Sequence, residues 1–333
     1  MPSFRSGVVT AILSGRRGLQ RVEVDGEKAY VLTQLVGPVA VGDRVVMNTT
    51  AVELGLGTGG WHVVHWNLER ESWSQRGAGH IMKLRYTSLQ VDTGAAEEIG
   101  PFYPAADLGG SPVVVCGLHS QVACVAAAFK HAAPGRRLTY VMTDGGALPI
   151  SLSDLVADLR AASLLDATVT TGHAFGGDYE AVNIHSALEV ADAMTGADAI
   201  VVGTGPGVVG TATKTGTSAL EVATAIDAAD AMGGVPVVAV RWSDADTRER
   251  HTGVSHHTVT ALGHAHCRVR VAIPRGGDKA WADGHDIVEV DVPDMNALLN
   301  GVAVTTMGRG PDEDPGFFRY AGAAGVAAAQ LLG

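Results

Sequence analysis

Two hydrophobic rhythms divide the chain. Over residues 7–92 the apolar positions come in short runs: GVVTAIL, LQRVEV, KAYVLTQL, DRVVMNT, GGWHVVHWN and IMKLRYTSLQVD. They are separated by SGRRG, DGE, VGPVAVGD and GLGTGG, turn material rich in Gly and Asp. Alternation of apolar and polar residues puts them on opposite faces of a strand, and Val, Tyr and Thr favour the pleated chain. Five or six such strands without a helical stretch predict a small antiparallel barrel-like domain over residues 1–92. Residues 93–111 carry two prolines and four glycines with little periodicity, and read as a linker.

From residue 112 the rhythm changes. Continuous apolar runs (PVVVCG, LTYVMT, ATVTTG, DAIVVG, VPVVAVRW, CRVRVAIP, DIVEVDV) alternate with Ala-rich helical segments such as SQVACVAAAFKHAA and TSALEVATAIDAADAM. Strands covered on both faces have no polar side, so they read as unbroken Val/Ile runs. Seven of them with interposed helices predict a Rossmann-like, doubly wound, mostly parallel α/β sheet over residues 112–333. Two helices, at about 294–307 and 316–332, are expected to close the chain. The last is rich in Ala and Gly all round, which suits close helix packing or a subunit interface in a homo-oligomer.

Charge narrows the partners. The net charge is −11, and residues 1–110 hold 10 Lys/Arg against 11 Asp/Glu, so the deficit lies almost wholly in the α/β part. That part is a poor match for phosphate backbones, and nucleic acid is not expected as its partner. The basic groups Arg16, Arg17, Arg21 and Lys83, Arg85 of the first part read as a solvated face. Three cysteines, Cys116, Cys124 and Cys267, form no CxxC pair, and no apolar window is long enough to span a bilayer. A cytoplasmic protein that does not enter membranes is expected.

In open parallel sheets ligands bind at the carboxyl ends of the strands. Five successive predicted strands are followed by polar or glycine-rich loops, whereas turns at the opposite end, such as APGRR, are short. The five loops are GLHSQ with His119, TDGGALP with Asp144, GHAFGGDYEAVN with His173, Asp178 and Glu180, GTGPGVVGTATKTGTS, and SDADTRERHTGVSHHT. The fourth contains a formal GxGxxG (Gly205, Gly207, Gly210), but no helix opens at once and no acid stands where a dinucleotide site needs one. It is not a Walker loop either, since Thr211 stands where the lysine should be. Thr204, Thr211, Lys214 and the glycines would hold an anion, or the loop is a plain crossover; the sequence supports both equally.

Histidines gather in GVSHHTVTALGHAH, residues 253–266, just after His251. Ser255 is a good N-cap, so HHTVTAL reads as a short helix ended by Gly263. His256 and His257 then occupy its first turn, where the helix dipole disfavours an imidazolium. Neutral imidazole is what a general base or metal ligand requires. His264 and His266 fall at the far end, so the four do not form one cluster. No HExxH and no Cys/His quartet is present. A divalent metal is therefore only a candidate cofactor, with His173, Asp178, Glu180 and His256 as candidate ligands. Packing remains the default reading for each histidine singly, including His62 and His65, and Cys116 beside His119 reads more simply as a buried apolar residue than as a nucleophile.

TDGGALP, GHAFGGDYEAVN, TGPGVVGT and ERHTGVSHHT together resemble a bacterial family catalogued as a domain of unknown function, most strongly from Gly117 to His257. The resemblance implies an N-terminal β region followed by a Rossmann-like α/β region. It brings no activity or catalytic assignment. The residues themselves point to a small phosphorylated or carboxylated metabolite at the strand ends, acted on by hydrolysis or group transfer. In that reading His256, His257, Asp144 and His173 are catalytic, and His119, Arg248, Arg250, Ser255 and the Gly/Thr loop bind the ligand. The alternative is a regulatory or scaffold protein whose barrel contacts a protein or nucleic acid.

Overall fold

Alternation over residues 4–67 becomes a closed barrel. The computed structural model describes residues 1–211 and 213–333. The barrel strands are β1 (Phe4–Arg16), β2 (Leu19–Val24), β3 (Glu27–Leu32), β4 (Arg44–Asn48) and β5 (His62–Asn67), with single helical turns α1 (Thr33–Val36) and α2 (Thr50–Glu53) between them. Around the barrel the order is β1-β2-β3-β5-β4. The β3–β5 pair is parallel and the other neighbours are antiparallel, so the expectation of a purely antiparallel barrel needs that correction. The turn Asp25-Gly26 joins β2 to β3 with φ of 49° and 85°, the paired positive values of a tight two-residue hairpin. Inward-facing Val9, Val22, Val24, Val31, Val45, Met47 and Val64 fill the interior. His62 is buried beside Glu27 and His65 packs edge-on against Phe4. Arg21 lies over the stacked rings of Tyr30 and Trp61.

The sixth run is not a barrel strand. It forms only a two-residue ladder, β6 (Met82–Lys83) with β7 (Val91–Asp92). Leu84 and Tyr86 adopt φ of 53° and 62°, which breaks the extended chain despite its strand-like composition. By compactness the chain divides into Met1–Gly94 and Ala95–Gly333. In the second unit Ala96, in the single turn α3 (Ala96–Ile99), and Leu108 are buried in the core.

The second unit is built on eight parallel strands. They are β8 (Pro112–Cys116), β9 (Leu138–Thr143), β10 (Ala167–Thr170), β11 (Tyr179–Glu180), β12 (Ala199–Thr204), β13 (Val235–Ala239), β16 (Arg270–Pro274) and β17 (Asp286–Val290), in the order β11-β10-β9-β12-β8-β13-β16-β17. A small antiparallel ladder, β14 (Trp242–Ser243) with β15 (Gly253–Val254), stands apart. Alternate residues feed two cores. Val114, Tyr140 and Val201 pack under α4 (Gln121–Ala132), α5 (Asp154–Ala161) and α10 (Pro315–Gln330). Val113, Val141 and Val202 pack under α6 (Ile184–Thr195), α7 (Glu221–Ala231) and α8 (His256–Leu262).

The C-terminal helix is buried inside this unit, on α4. A methyl group on Gly325 would come within 2.3 Å of the Val125 carbonyl oxygen, so the small residues of α10 serve close helix packing. The helix expected over 294–307 is a single turn, α9 (Met295–Leu298). Gly301 at φ 89° ends the segment, and Val302 and Val304 are buried outside any helix. No described helix is long and apolar enough to cross a membrane.

Strands β8 and β12 are neighbours, yet α4 leaves β8 toward one face and α7 leaves β12 toward the other. The divergence opens a crevice at their carboxyl ends, the position where open α/β sheets bind ligands.

Candidate functional site

The crevice is lined from one end to the other by strand termini. At its centre are Cys116, Gly117, Thr204 and Ala219. Thr143 and Glu221 link this part to an open cavity of about 200 Å³ that also touches Asp144, Thr171 and Asn183. Gly117, Ala219 and Val222 link it on the other side to Arg241, His257 and Thr258.

The cavity end is a row of hydroxyls. Thr204 and Thr143 are register partners on β12 and β9, and the Thr171 N–H donates to the Met142 carbonyl one strand further. All three threonines are buried; the Thr143 hydroxyl is turned to the Glu221 carboxyl, and those of Thr171 and Thr204 have no hydrogen-bond partner among the described residues. One carboxylate oxygen of Glu221, at the start of α7, is in the same state. Burial raises the Glu221 carboxyl above its ordinary pKa; the Thr143 hydroxyl pulls it down and the Asp144 charge adds to the rise. Buried polar atoms are ordinarily paired, so the unpartnered atoms here, at adjacent strand ends and the start of α7, stand out as a polar surface.

The other end carries charge. Arg241 follows β13 and is buried, with 9% of its surface exposed. Its Nη1 lies 3.2 Å from Nδ1 of His257, and among the described residues no carboxylate is within ion-pairing distance. Burial and the nearby charges of Arg248, Arg309 and Arg250, partly offset by the more distant Asp246 carboxylate, lower its pKa to about 10, so it stays cationic at neutral pH. Ser255 caps α8 by accepting from the His257 N–H, and its hydroxyl lies 2.8 Å from Nδ1 of His251. His251, His256 and His257 offer one ring nitrogen each within 4.8 Å of the others. Burial and then the neighbouring arginines hold all three imidazoles neutral, His251 at about 3 and His257 at about 4. Nε2 of His256 is buried without a partner.

A polar frame fixes the loop between β14 and β15. Asp246 takes Arg248 in a two-point ion pair at 2.7 and 2.9 Å, which holds its carboxyl far below the ordinary range. Fully buried Asp314 accepts from the Ser243 hydroxyl, the Asp244 N–H and Arg309. The guanidinium of Arg248 is thus neutralised within the protein, while Arg250 is exposed and reaches only Nε2 of His251, at 3.4 Å.

The remaining candidates scatter. His119 is a strut: its Nδ1 lies 3.1 Å from the Thr204 carbonyl and 3.2 Å from the Tyr140 hydroxyl, and its Nε2 is 2.6 Å from the Ser153 hydroxyl that caps α5. Burial lowers its pKa to about 4 and raises the Cys116 thiol well above ordinary, which leaves that cysteine inert. Asp178 and Glu180 close their own loop, on the Thr168 N–H and the Gly176 N–H, and Asp178 also meets Arg160. They do not join His256. His173 stands beside Asp144, donating its N–H to that carboxylate at 2.9 Å.

The glycines of the fourth loop serve loop contact. A methyl group on Gly205 would fall 2.3 Å from the Ala147 oxygen, and one on Gly146 would fall 2.2 Å from the Gly205 oxygen, so these two loops cross at backbone distance. Gly207 adopts φ 102°, and Gly210 bridges to Thr217. The N–H groups of Val209, Thr211, Thr213 and Gly216 are bonded within the loop, and Thr211 and Lys214 are exposed. Ala212 lies outside the described residues. Arg241 and Glu221 were not among the residues singled out from sequence. The arginine inside the apolar run VPVVAVRW was the available signal: a charge at a strand end that the sheet's own packing does not call for.

Fold and crevice together define an α/β protein with an open parallel sheet, a switch-point crevice and an N-terminal closed barrel. The chain belongs to the family described as protein of unknown function DUF3866, whose profile matches residues 28–325. A search of curated proteins found none that matches.

Proposed function

We propose that the α/β unit binds a small phosphorylated or carboxylated metabolite in the crevice, with Arg241 as its counter-charge. One observation carries the reading: a buried guanidinium that, among the described residues, has no carboxylate at ion-pairing distance. An unpaired buried charge is costly, so an anion at this point gains more than it would at the surface. His257 beside it is neutral and can donate or accept a proton at the anion. Hydrolysis or group transfer is the reaction class this supports. The hydroxyl row at the other end suits the polar remainder of such a metabolite. Three free cysteines are consistent with a cytoplasmic setting.

The test is a thermal-shift and calorimetric panel of sugar phosphates, nucleotides and small carboxylates, run in EDTA. At least one anion should stabilise the protein, and Arg241→Met should abolish that stabilisation while remaining folded. An equal response in Arg241→Met, or no response to any anion, overturns the reading.

A further inference from the structure

Three imidazoles meet where the loop after β14 runs into α8. Their hydrogen bonds fix which nitrogens are acceptors. The Ser255 oxygen receives the His257 backbone N–H, and His251 places Nδ1 against the same oxygen at 2.8 Å. With the proton on that Nδ1, Nε2 of His251 presents a lone pair, and it is Nε2 that Arg250 approaches as a donor. On His257 the Nδ1 lone pair faces the Arg241 guanidinium, which can only donate. On His256 the buried Nε2 meets no donor. Two lone pairs are thus capped by guanidinium N–H groups, Nε2 of His256 has no partner, and one ring nitrogen of each histidine lies within 4.8 Å of the others.

We propose that His251, His256 and His257 bind one divalent transition-metal ion, in exchange for the contacts from Arg241 and Arg250. Three imidazoles without a carboxylate suit zinc, nickel or copper rather than magnesium or calcium. Ser255 on the far nitrogen of His251 is the orienting partner that metal-bound histidines ordinarily have. Zinc–imidazole bonds of about 2.0–2.1 Å require the rings to draw inward. Three protein ligands leave coordination positions open, as catalytic zinc sites do. An ion there repels Arg241 and Arg250, which turn toward an anion in the crevice, so ion and anion strengthen each other's binding. The ion site itself stands without the anion proposal.

The experiment is a titration of the full, untagged chain with Zn²⁺ by calorimetry and with Co²⁺ by visible absorption, in buffer free of phosphate and carboxylate. One ion per chain is expected, with the intense bands of four- or five-coordinate cobalt. His256→Gln should weaken binding by at least the roughly 10–100-fold that loss of an outer-shell partner costs. Arg241→Met removes a competitor and should tighten it. The double variant His264→Gln/His266→Gln, at the other end of α8, should leave it unchanged. The cobalt spectrum of the unaltered protein reads the site even if His256→Gln fails to fold. No stoichiometric ion, or affinity insensitive to His256→Gln, overturns the site; affinity in Arg241→Met that is unchanged or lower overturns the exchange. Because anion binding is tested in EDTA and the ion without anions, the two proposals fail separately.

Discussion

Arg241 and His257 share one hydrogen bond of 3.2 Å, and among the described residues no other side chain bonds this guanidinium, which is nine-tenths buried. A buried cation without an ion pair costs stability. Arg241→Met keeps the apolar stem and removes the charge. The variant should match or exceed the parent by about 1 kcal/mol in denaturant unfolding. A loss of several kcal/mol would mean that the charge is compensated within the fold.

Acid should destabilise the protein earlier than its carboxylates alone would require. His119, His251 and His257 are pushed from 6.5 to about 4, 3 and 4. Unfolded, each takes up a proton near pH 6.5; folded, each resists it. Their contribution is therefore complete above pH 6.5 and is lost as pH falls toward 4 and 3. Stability should decline over that window with an uptake approaching three protons on unfolding, read from unfolding midpoints against pH. A flat profile between pH 6.5 and 4.5 contradicts it.

The hydroxyl row predicts an unusual mutational response. Thr204→Val and Thr171→Val remove buried hydroxyls that have no partner, so stability should hold or rise by up to about 1 kcal/mol. Thr139→Val breaks a buried bond to Thr195 at 2.6 Å and should cost about 1–3 kcal/mol. Paired denaturation curves separate the cases. A comparable loss in Thr204→Val would show that its hydroxyl is already satisfied.

Gly325→Ala should destabilise despite a better helix former. Alanine gains about 1 kcal/mol of helix propensity. Its methyl group meets the Val125 oxygen at 2.3 Å and the Phe129 nitrogen at 2.9 Å, both backbone atoms of α4. Separating the helices should cost about 1–3 kcal/mol, so a net loss with a lower Tm is expected.

Much of this architecture is legible in the chain. Unbroken runs such as PVVVC and AIVVGT can be satisfied only by a sheet covered on both faces, and both are central strands. Ser255 before HHTVTAL marks a helix start because a capping hydroxyl has a single local geometry to meet. What fails is local pattern without local cause. IMKLRYTSLQVD has strand composition, but left-handed Leu84 and Tyr86 break it at a turn where the Thr87 N–H and hydroxyl both donate to the Leu84 carbonyl, a turn no Gly, Asn or Pro announces. The glycines of GTGPGVVGT look like a phosphate loop and instead allow a crossing with TDGGALP, a contact distant in sequence. Arg241 was legible as an anomaly, whereas the orphaned hydroxyls depend on which strands become neighbours.

The position of β12 has a consequence in time. Strands β8 and β9 follow one another in sequence, yet β12 lies between them, and His119 finds the Thr204 carbonyl only once it is there. A nascent chain that has emerged only to residue 198 therefore holds β9 with an open edge and β8 with no neighbour in the sheet. Arrival of β12 joins β8 to β9 and aligns Thr143 with Thr204. Until then the open edge of β9 is exposed to mispairing, and the far edge of β8 stays exposed until β13 follows.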